Sequence, residues 1–316
     1  MCIRDSTNAA RYRFGSNNIS LGASALKGVA GCTTGGSDNV ALGRDAMNSS
    51  AMASNNVAIG VSTLYNTDCG SYNIALGYGA LYRNTQGSYN FAAGDNAMGC
   101  NTTGCYNVAI GYGALVCGCV GNNNVAIGLQ ALRVNATGSN NVVIGNSAMF
   151  YNTCGCDNFV VGYTALFYNI TGCANVAVGC SALFNSCGSN NIGLGTCSLY
   201  SNAAGQNNIA IGYRAGAAAT GNYNVVIGSN TGAGIGATSC NVVLSDGTGT
   251  VKVGFTATGA MYFGNTVTNV GSAGQALLSS GPGGAPYWGS AGGGAGSTAT
   301  FVAIEVTAAT NGQTSY

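Results

Sequence analysis

Asn107-Val108-Ala109-Ile110-Gly111 is one copy of a unit that recurs along most of this chain, and its spacing decides the fold. Copies begin at Asn18, Asn39, Asn56, Asn73, Asn90, Asn107, Asn124, Asn141, Asn158, Asn175, Asn191, Asn208, Asn224 and Asn241, with ten steps of 17 residues, two of 16 and one of 21. A fixed short period marks a stacked architecture, in which each unit is too small to bury its own apolar face and its neighbours cover it.

Inside the unit, positions two and four are apolar, as in Val57 and Ile59 or Val125 and Ile127, whereas position three is small, as in Ala58, Ala126 or Gly193. That alternation is a strand's, β-branched on one face and compact on the other. Position five is Gly in thirteen copies and Ser245 in the last, which suits a corner where φ turns positive. A second apolar step follows, Ala114-Leu115 or Ala165-Leu166, and then a polar turn such as Asn101-Thr102-Thr103-Gly104. Each unit reads as strand, Gly corner, shorter strand and polar turn, and the whole as an all-β parallel solenoid or β-roll of about 14 coils. The residues expected to repeat in columns are Asn56 and Gly60, Asn73 and Gly77, Asn90 and Gly94, Asn107 and Gly111, Asn124 and Gly128, Asn141 and Gly145, Asn158 and Gly162, and Asn175 and Gly179. A helix would need long Gly-free runs, and apart from residues 44–59 and 237–246 the units break them with Gly in fewer than ten residues.

Composition narrows the class. Of 316 residues, 53 are Gly, 2 are Pro and 47% are apolar, with 9 basic and 8 acidic side chains. The apolar residues occur in register, which argues against disorder. No apolar run approaches the ~20 residues of a membrane-spanning helix, and the strands are half the ~10 residues of an outer-membrane barrel. Membrane insertion is therefore not expected. A formal net charge of +1 offers no electrostatic footprint for nucleic acid. The absence of histidine removes the commonest general base and metal ligand together.

One chain alone looks thin. Burying a few apolar side chains per coil falls well short of the conformational entropy lost by ordering 17 residues. Hydrogen-bonded ladders and an Asn column narrow the gap, and the small third position offers a surface for close approach by a sister chain. An oligomer, a homotrimer, is the expectation.

Asn-Val-Ala-Ile-Gly with a small-residue turn resembles the head repeat of trimeric autotransporter adhesins, the YadA-like head, a left-handed parallel β-roll that trimerises. The longer run Asn107-Val108-Ala109-Ile110-Gly111-Tyr112-Gly113-Ala114-Leu115, with its Asn-Thr-x-Gly turns, resembles more closely the repeats of phage tail-fibre and related virion proteins. The period here is longer than the adhesin coil. The resemblance implies a non-enzymatic fibre shaft on a virion appendage that holds a distal receptor-binding or chaperone domain at reach for host attachment. The alternative it implies is an extracellular or cell-surface adhesin head that binds matrix, receptor or glycan.

The flanks divide the chain further. Residues 1–13 form a leader whose Met1-Cys2-Ile3-Arg4-Asp5-Ser6 resembles a translated sequencing adaptor, and 14–245 is the repeat domain, its 21-residue step read as a longer turn at Gly31 to Gly36. Residues 246–288 read as short hairpins and a closing motif, with Asp246-Gly247 and Thr248-Gly249 as turns and Gln275-Ala276-Leu277-Leu278 and Trp288 closing a small β-unit. Residues 289–299 are a Gly/Ala/Ser linker and 300–316 the opening of a truncated β-domain.

No set of residues reads as catalytic, metal-binding or cofactor-binding. Cys117-Gly118-Cys119 and Cys154-Gly155-Cys156 lack the twin spacing of a zinc site. Cys105, Cys156 and Cys173 share the position two before the Asn, and Cys69, Cys154 and Cys187 the position four before it. They read as small buried or turn-filling thiols, with disulfides between coils, Cys156 to Cys173 for example, the other possibility. The Asp residues are scattered singly, unlike calcium-binding repeats. Eight acidic residues make a glycosidase unattractive. The Asn column reads as stacked amides supporting a turn. Tyr65, Tyr72, Tyr82, Tyr89, Tyr106, Tyr112, Tyr151, Tyr163, Tyr168, Tyr200 and Tyr213 fall on coil exteriors and turns, as amphipathic cover or a sugar-stacking surface.

Overall fold

The computed structural model describes residues 3–4, 15–29, 35–118, 120–264, 275–278 and 287–290. Most of the leader, the longer turn at residues 31–34, nearly all of the linker and residues 300–316 lie outside the described residues.

Fourteen strands, from β2 (Ile19–Leu21) to β15 (Val242–Ser245), stack side by side in chain order, giving a parallel β-solenoid of about thirteen turns. All are three residues long except the four-residue β15, and no helix occurs among the described residues. Register follows the repeat: Val108 pairs with Val125, Ala109 with Ala126 and Ile110 with Ile127. At the N-terminal end β1 (Ile3–Arg4) adds a parallel pairing with Ile19 and Ser20.

Two expectations about the coil are corrected. The small third position faces inward, not toward a partner: Ala58, Ala75, Ala109 and Ala126 are fully buried, while the β-branched flanks Val108 and Ile110 point outward. The interior explains the reversal. A Cβ added at Gly193, in that third position, would lie 3.2 Å from Cγ of Leu183 and 2.9 Å from Oγ of Ser198, so the strand faces the Leu column of the turn across a gap sized for a methyl group. Val143, Val160, Val226 and Val243 are the largest residues that the strand puts there.

The second strand is also absent. The Ala114-Leu115 step is a run of turns, the first closed by Ala114 N–H donating to Gly111 O at 3.3 Å with Gly113 at φ 61°, the positive φ that a type II turn needs in its third residue. Leu115 itself sits at φ 51°, as do its equivalents Leu64, Leu81, Met98, Leu132, Met149, Leu166, Leu183 and Leu199 to within a few degrees. A left-handed Leu costs on the order of 1 kcal/mol. Full burial of the side chain and an inter-coil bond from Leu115 N–H to Ala131 O at 3.0 Å offset it.

The corner glycine is required twice over. Gly111 has φ 130°, and a Cβ on it would sit 2.5 Å from Gly128 O of the next coil.

The parallel stack ends by reversing direction, as the hairpin reading expected. β16 (Val251–Phe255) pairs antiparallel with β15, and β17 (Met261–Tyr262) with β16. Tyr262 is buried with its ring against Gly254, where a Cβ would come within 2.1 Å of the ring. In the turn, the Asp246 carboxylate accepts from Lys252 Nζ at 2.8 Å and from the Thr248 hydroxyl, which holds it well below the usual carboxylate range. This support persists through ordinary acidic pH and fades only as the pH falls below that range. Farther on, β18 (Gln275–Leu278) pairs antiparallel with β19 (Tyr287–Ser290), placing Leu277 opposite Trp288.

Gly111→Ala is therefore expected to destabilise the chain by more than about 2 kcal/mol, through both φ and the clash. Ala109→Val should cost less than that, because Val143 and Val160 occupy the equivalent site. Denaturant unfolding followed by circular dichroism orders the two.

Candidate functional site

The recurrent asparagines form one unbroken column. From Asn39 to Asn241, each backbone N–H donates to the Oδ1 of the Asn one coil earlier, at 2.8–3.1 Å. The side-chain amide then reaches across the coil: Nδ2 of Asn124 donates to Asn107 Oδ1 at 3.1 Å and to Gly138 O at 2.9 Å. These buried amides are thus satisfied from three directions. The paired glycines Gly60, Gly77, Gly94, Gly111, Gly128, Gly145, Gly162 and Gly179 form a parallel column at φ 122–143°. Both sets of expected repeat residues are brought into line, and their role is to hold coil to coil.

Two further columns are not evident from the sequence. Eleven residues after the first Asn, a second buried Asn recurs, with Asn101 Nδ2 donating to Asn84 Oδ1 at 2.6 Å and to Gly104 O at 3.0 Å. The Asn-x-x-Gly spacing carried that signal. This column breaks at Gly118 and at the two shortened coils: Ser186 replaces the Asn above Asn169, Ala219 that above Asn202, and Oδ1 of both asparagines and Oγ of Ser186 are left without protein partners. The other column lies two residues before the first Asn. There a short polar side chain accepts the N–H of the coil below, as Ser88 Oγ does from Ser71 at 3.0 Å, Asn122 Oδ1 from Cys105 at 2.8 Å and Cys173 Sγ from Cys156 at 3.2 Å.

That last contact gives the cysteines of this position a definite role, since Cys105 and Cys173 stand in for serine as acceptors in a ladder. Cys156 and Cys173 occupy adjacent coils as expected, and burial raises the Cys173 thiol above its ordinary value against the opposing pull of the Cys156 N–H that it accepts. Every described cysteine is a free thiol, as the reading of small buried or turn-filling thiols expected over disulfides, but none is fully buried, and Cys69, Cys154, Cys180 and Cys240 are exposed. Cys119 of the Cys117-Gly118-Cys119 pair lies outside the described residues. Among the described residues no group of three or more Cys, Asp or Glu side chains comes together around a possible metal.

What faces outward is apolar and aromatic. The outer strand positions make a stripe along the solenoid that includes Ile59, Ile74, Ile110, Ile144, Ile211 and Ile227, each about 40% exposed. Tyr72, Tyr89 and Tyr106 stack beside it with ring centroids 4.9 and 5.0 Å apart and planes within 3°. On its other side stand Tyr78, Tyr112, Tyr163 and Tyr213, all more than half exposed. Ion pairs are sparse: among the described residues only Arg44 with Asp45 and Lys252 with Asp246 approach within 4.0 Å.

No protein-family model matches the chain, and no curated protein or solved structure shows significant similarity to it.

Asn124→Ala removes the acceptor of Asn141 N–H and the donor to Gly138 O, both buried. At roughly 1–3 kcal/mol for each orphaned group, a loss of about 4 kcal/mol is expected. Thr137→Ala, in the exposed turn that precedes the next rung, should lose under about 1 kcal/mol; equal losses for the two in thermal unfolding would contradict the ladder.

Proposed function

We propose that this chain is a non-enzymatic structural fibre shaft, in which three sister chains assemble through the outward face of their sheets to hold a distal receptor-binding or chaperone domain at reach for host attachment. The setting this fits is a virion appendage such as a phage tail fibre. One observation carries the reading: a continuous, uncharged stripe of apolar, mostly β-branched side chains runs the length of fourteen in-register strands. Thirteen steps of ~4.8 Å make it about 60 Å long, larger than monomeric proteins ordinarily leave in water. The flanking tyrosines have the amphipathic character favoured at interfaces.

A sister chain suits this face better than an unrelated partner. Its ridges recur with the same inter-coil beat, so the two surfaces can interdigitate at every coil. The interior holds little more than Ala, Leu or Met and Asn per coil, and covering the stripe would supply the apolar burial that a single chain lacks.

The second reading, an extracellular trimeric adhesin head whose coils contact matrix or glycan, draws on the exposed Tyr72-Tyr89-Tyr106 column, which assembly through the strand stripe need not fully cover. Flanking sequence separates the two. An outer-membrane anchor and coiled-coil stalk belong to the adhesin, and a virion-attachment or chaperone domain to the fibre.

Light scattering on the folded protein should return three times the chain mass of 31.2 kDa. Ile110→Lys combined with Ile144→Lys places charges in the middle of the stripe and is expected to abolish the trimer, by dissociation or by loss of the β-sheet signal. A monomeric wild type, or a double variant that stays trimeric, would rule the reading out.

A further inference from the structure

A second aromatic column runs along the turn side of the coils, and its two ends differ. Phe150, Phe167, Phe184 and Tyr200 stack in successive coils with centroids 5.3, 5.3 and 5.0 Å apart. At the first end the guanidinium of Arg133 lies 5.2 Å from the Phe150 centroid and closes the column with a cation. At the other end the next coil is one of the two shortened ones, and its run Ala215-Gly216-Ala217-Ala218-Ala219 puts Ala217 and Ala218 where the coils below carry Tyr200 and Ser201, or Phe167 and Tyr168. Tyr200 stacks on Phe184 at an interplanar angle of 2°, and among the described residues no ring covers its other face.

The missing side chains leave a notch of about 410 Å³, lined by Tyr200, Ser201, Tyr213, Arg214, Ala217 and Thr231 among others. Its volume lies within the range of small-ligand sites. Arg214 is exposed and forms no ion pair among the described residues, whereas Arg44 and Lys252 each have an acidic neighbour. A stacking face, a floor of alanines, several hydroxyls and one unpaired guanidinium therefore converge at a single place on a nearly uncharged molecule.

We propose that this notch is a binding site for a sugar ring bearing a carboxylate, such as a hexuronic-acid residue of an acidic glycan. The apolar face of the ring takes the next step of the aromatic column, over Tyr200 and against Ala217. The carboxylate pairs with the Arg214 guanidinium, whose fork matches two carboxylate oxygens. The ring hydroxyls meet the hydroxyls of Ser201, Tyr213 and Thr231. A polyhydroxylated ring with one apolar face fits this lining better than a purely aromatic acid, which would leave those hydroxyls facing apolar edges. Of the residues named in its lining only Tyr213 also flanks the outer strand stripe, and the argument for the site does not rest on the fibre reading.

The test is a saturation-transfer NMR titration of the full chain with the methyl glycoside of glucuronic acid, and in parallel with methyl glucoside and with benzoate. Saturable binding of the glucuronide is expected in the millimolar range, with methyl glucoside and the Arg214→Gln variant each weaker by about tenfold, the loss of one charge-assisted contact. Ala217→Tyr extends the column into the notch and is expected to abolish binding while circular dichroism shows an unchanged fold. Should that variant misfold, Ala218→Gln narrows the same notch from its exposed edge and should weaken binding. Absence of saturation with the glucuronide, equal affinity for the neutral glucoside, tighter binding of benzoate, or unaltered binding by a folded Ala217→Tyr variant would each overturn the proposal.

Discussion

The hydrogen bond from the backbone of one asparagine to the side chain of the asparagine a coil earlier is the constraint on which this fold depends. It joins a main-chain donor to a side-chain acceptor, so it fixes register and the position of the strand's first residue together. With Asn107 bound to Asn90 and Asn124 bound to Asn107, neighbouring coils cannot slip by a residue without leaving buried amides unpaired. The chain then has to turn within three residues at Gly111, and only a residue without a Cβ can pass so close to the carbonyl of the next coil. Where the second Asn column lacks its partner, at Asn169 and Asn202, the first continues unbroken and the stack holds.

That economy leaves the interior narrow. A column mostly of Ala against a column of Leu or Met fills it, with Val143, Val160, Val226 and Val243 among the exceptions, so the Ile residues and the remaining Val residues of the parallel strands stand outside, where they shape the backbone without being covered by it. A protein built this way places its largest apolar area on its surface. Assembly with like chains is the use of that area which demands least of a partner, since any copy carries the same spacing. The antiparallel strands after Ser245 end the parallel ladder at that side of the stack.

The period, the parallel stack, the Gly corner and the Asn column were all legible in the sequence, because each is a repeated residue type at a repeated interval. The orientation of the strand was not. Alternation in Asn-Val-Ala-Ile-Gly shows that Ala109 and its neighbours lie on opposite faces, but which face is the interior depends on the width of the coil. That width is set by the Leu115 column on the far side. The second strand failed for a related reason: Ala-Leu looks extended, and the left-handed backbone at Leu115 arises only because inter-coil hydrogen bonds and burial offset its local cost. The Ser88, Asn122 and Cys173 acceptors were hidden by their variety, since chemically different side chains do one job in a shared position. The notch at Ala217 was invisible as a motif, being an absence of bulk at one coil of an otherwise regular column.

Hydrogen exchange resolved to single amides addresses the central claim most directly, because every rung places one backbone N–H in a buried bond to an asparagine side chain. Slow exchange should recur at Asn56, Asn73, Asn90, Asn107, Asn124 and onward with the period of the repeat, and Asn124→Ala should release the Asn141 amide first. Protection that ignores that period, or an Asn141 amide indifferent to the loss of Asn124, would contradict the ladder.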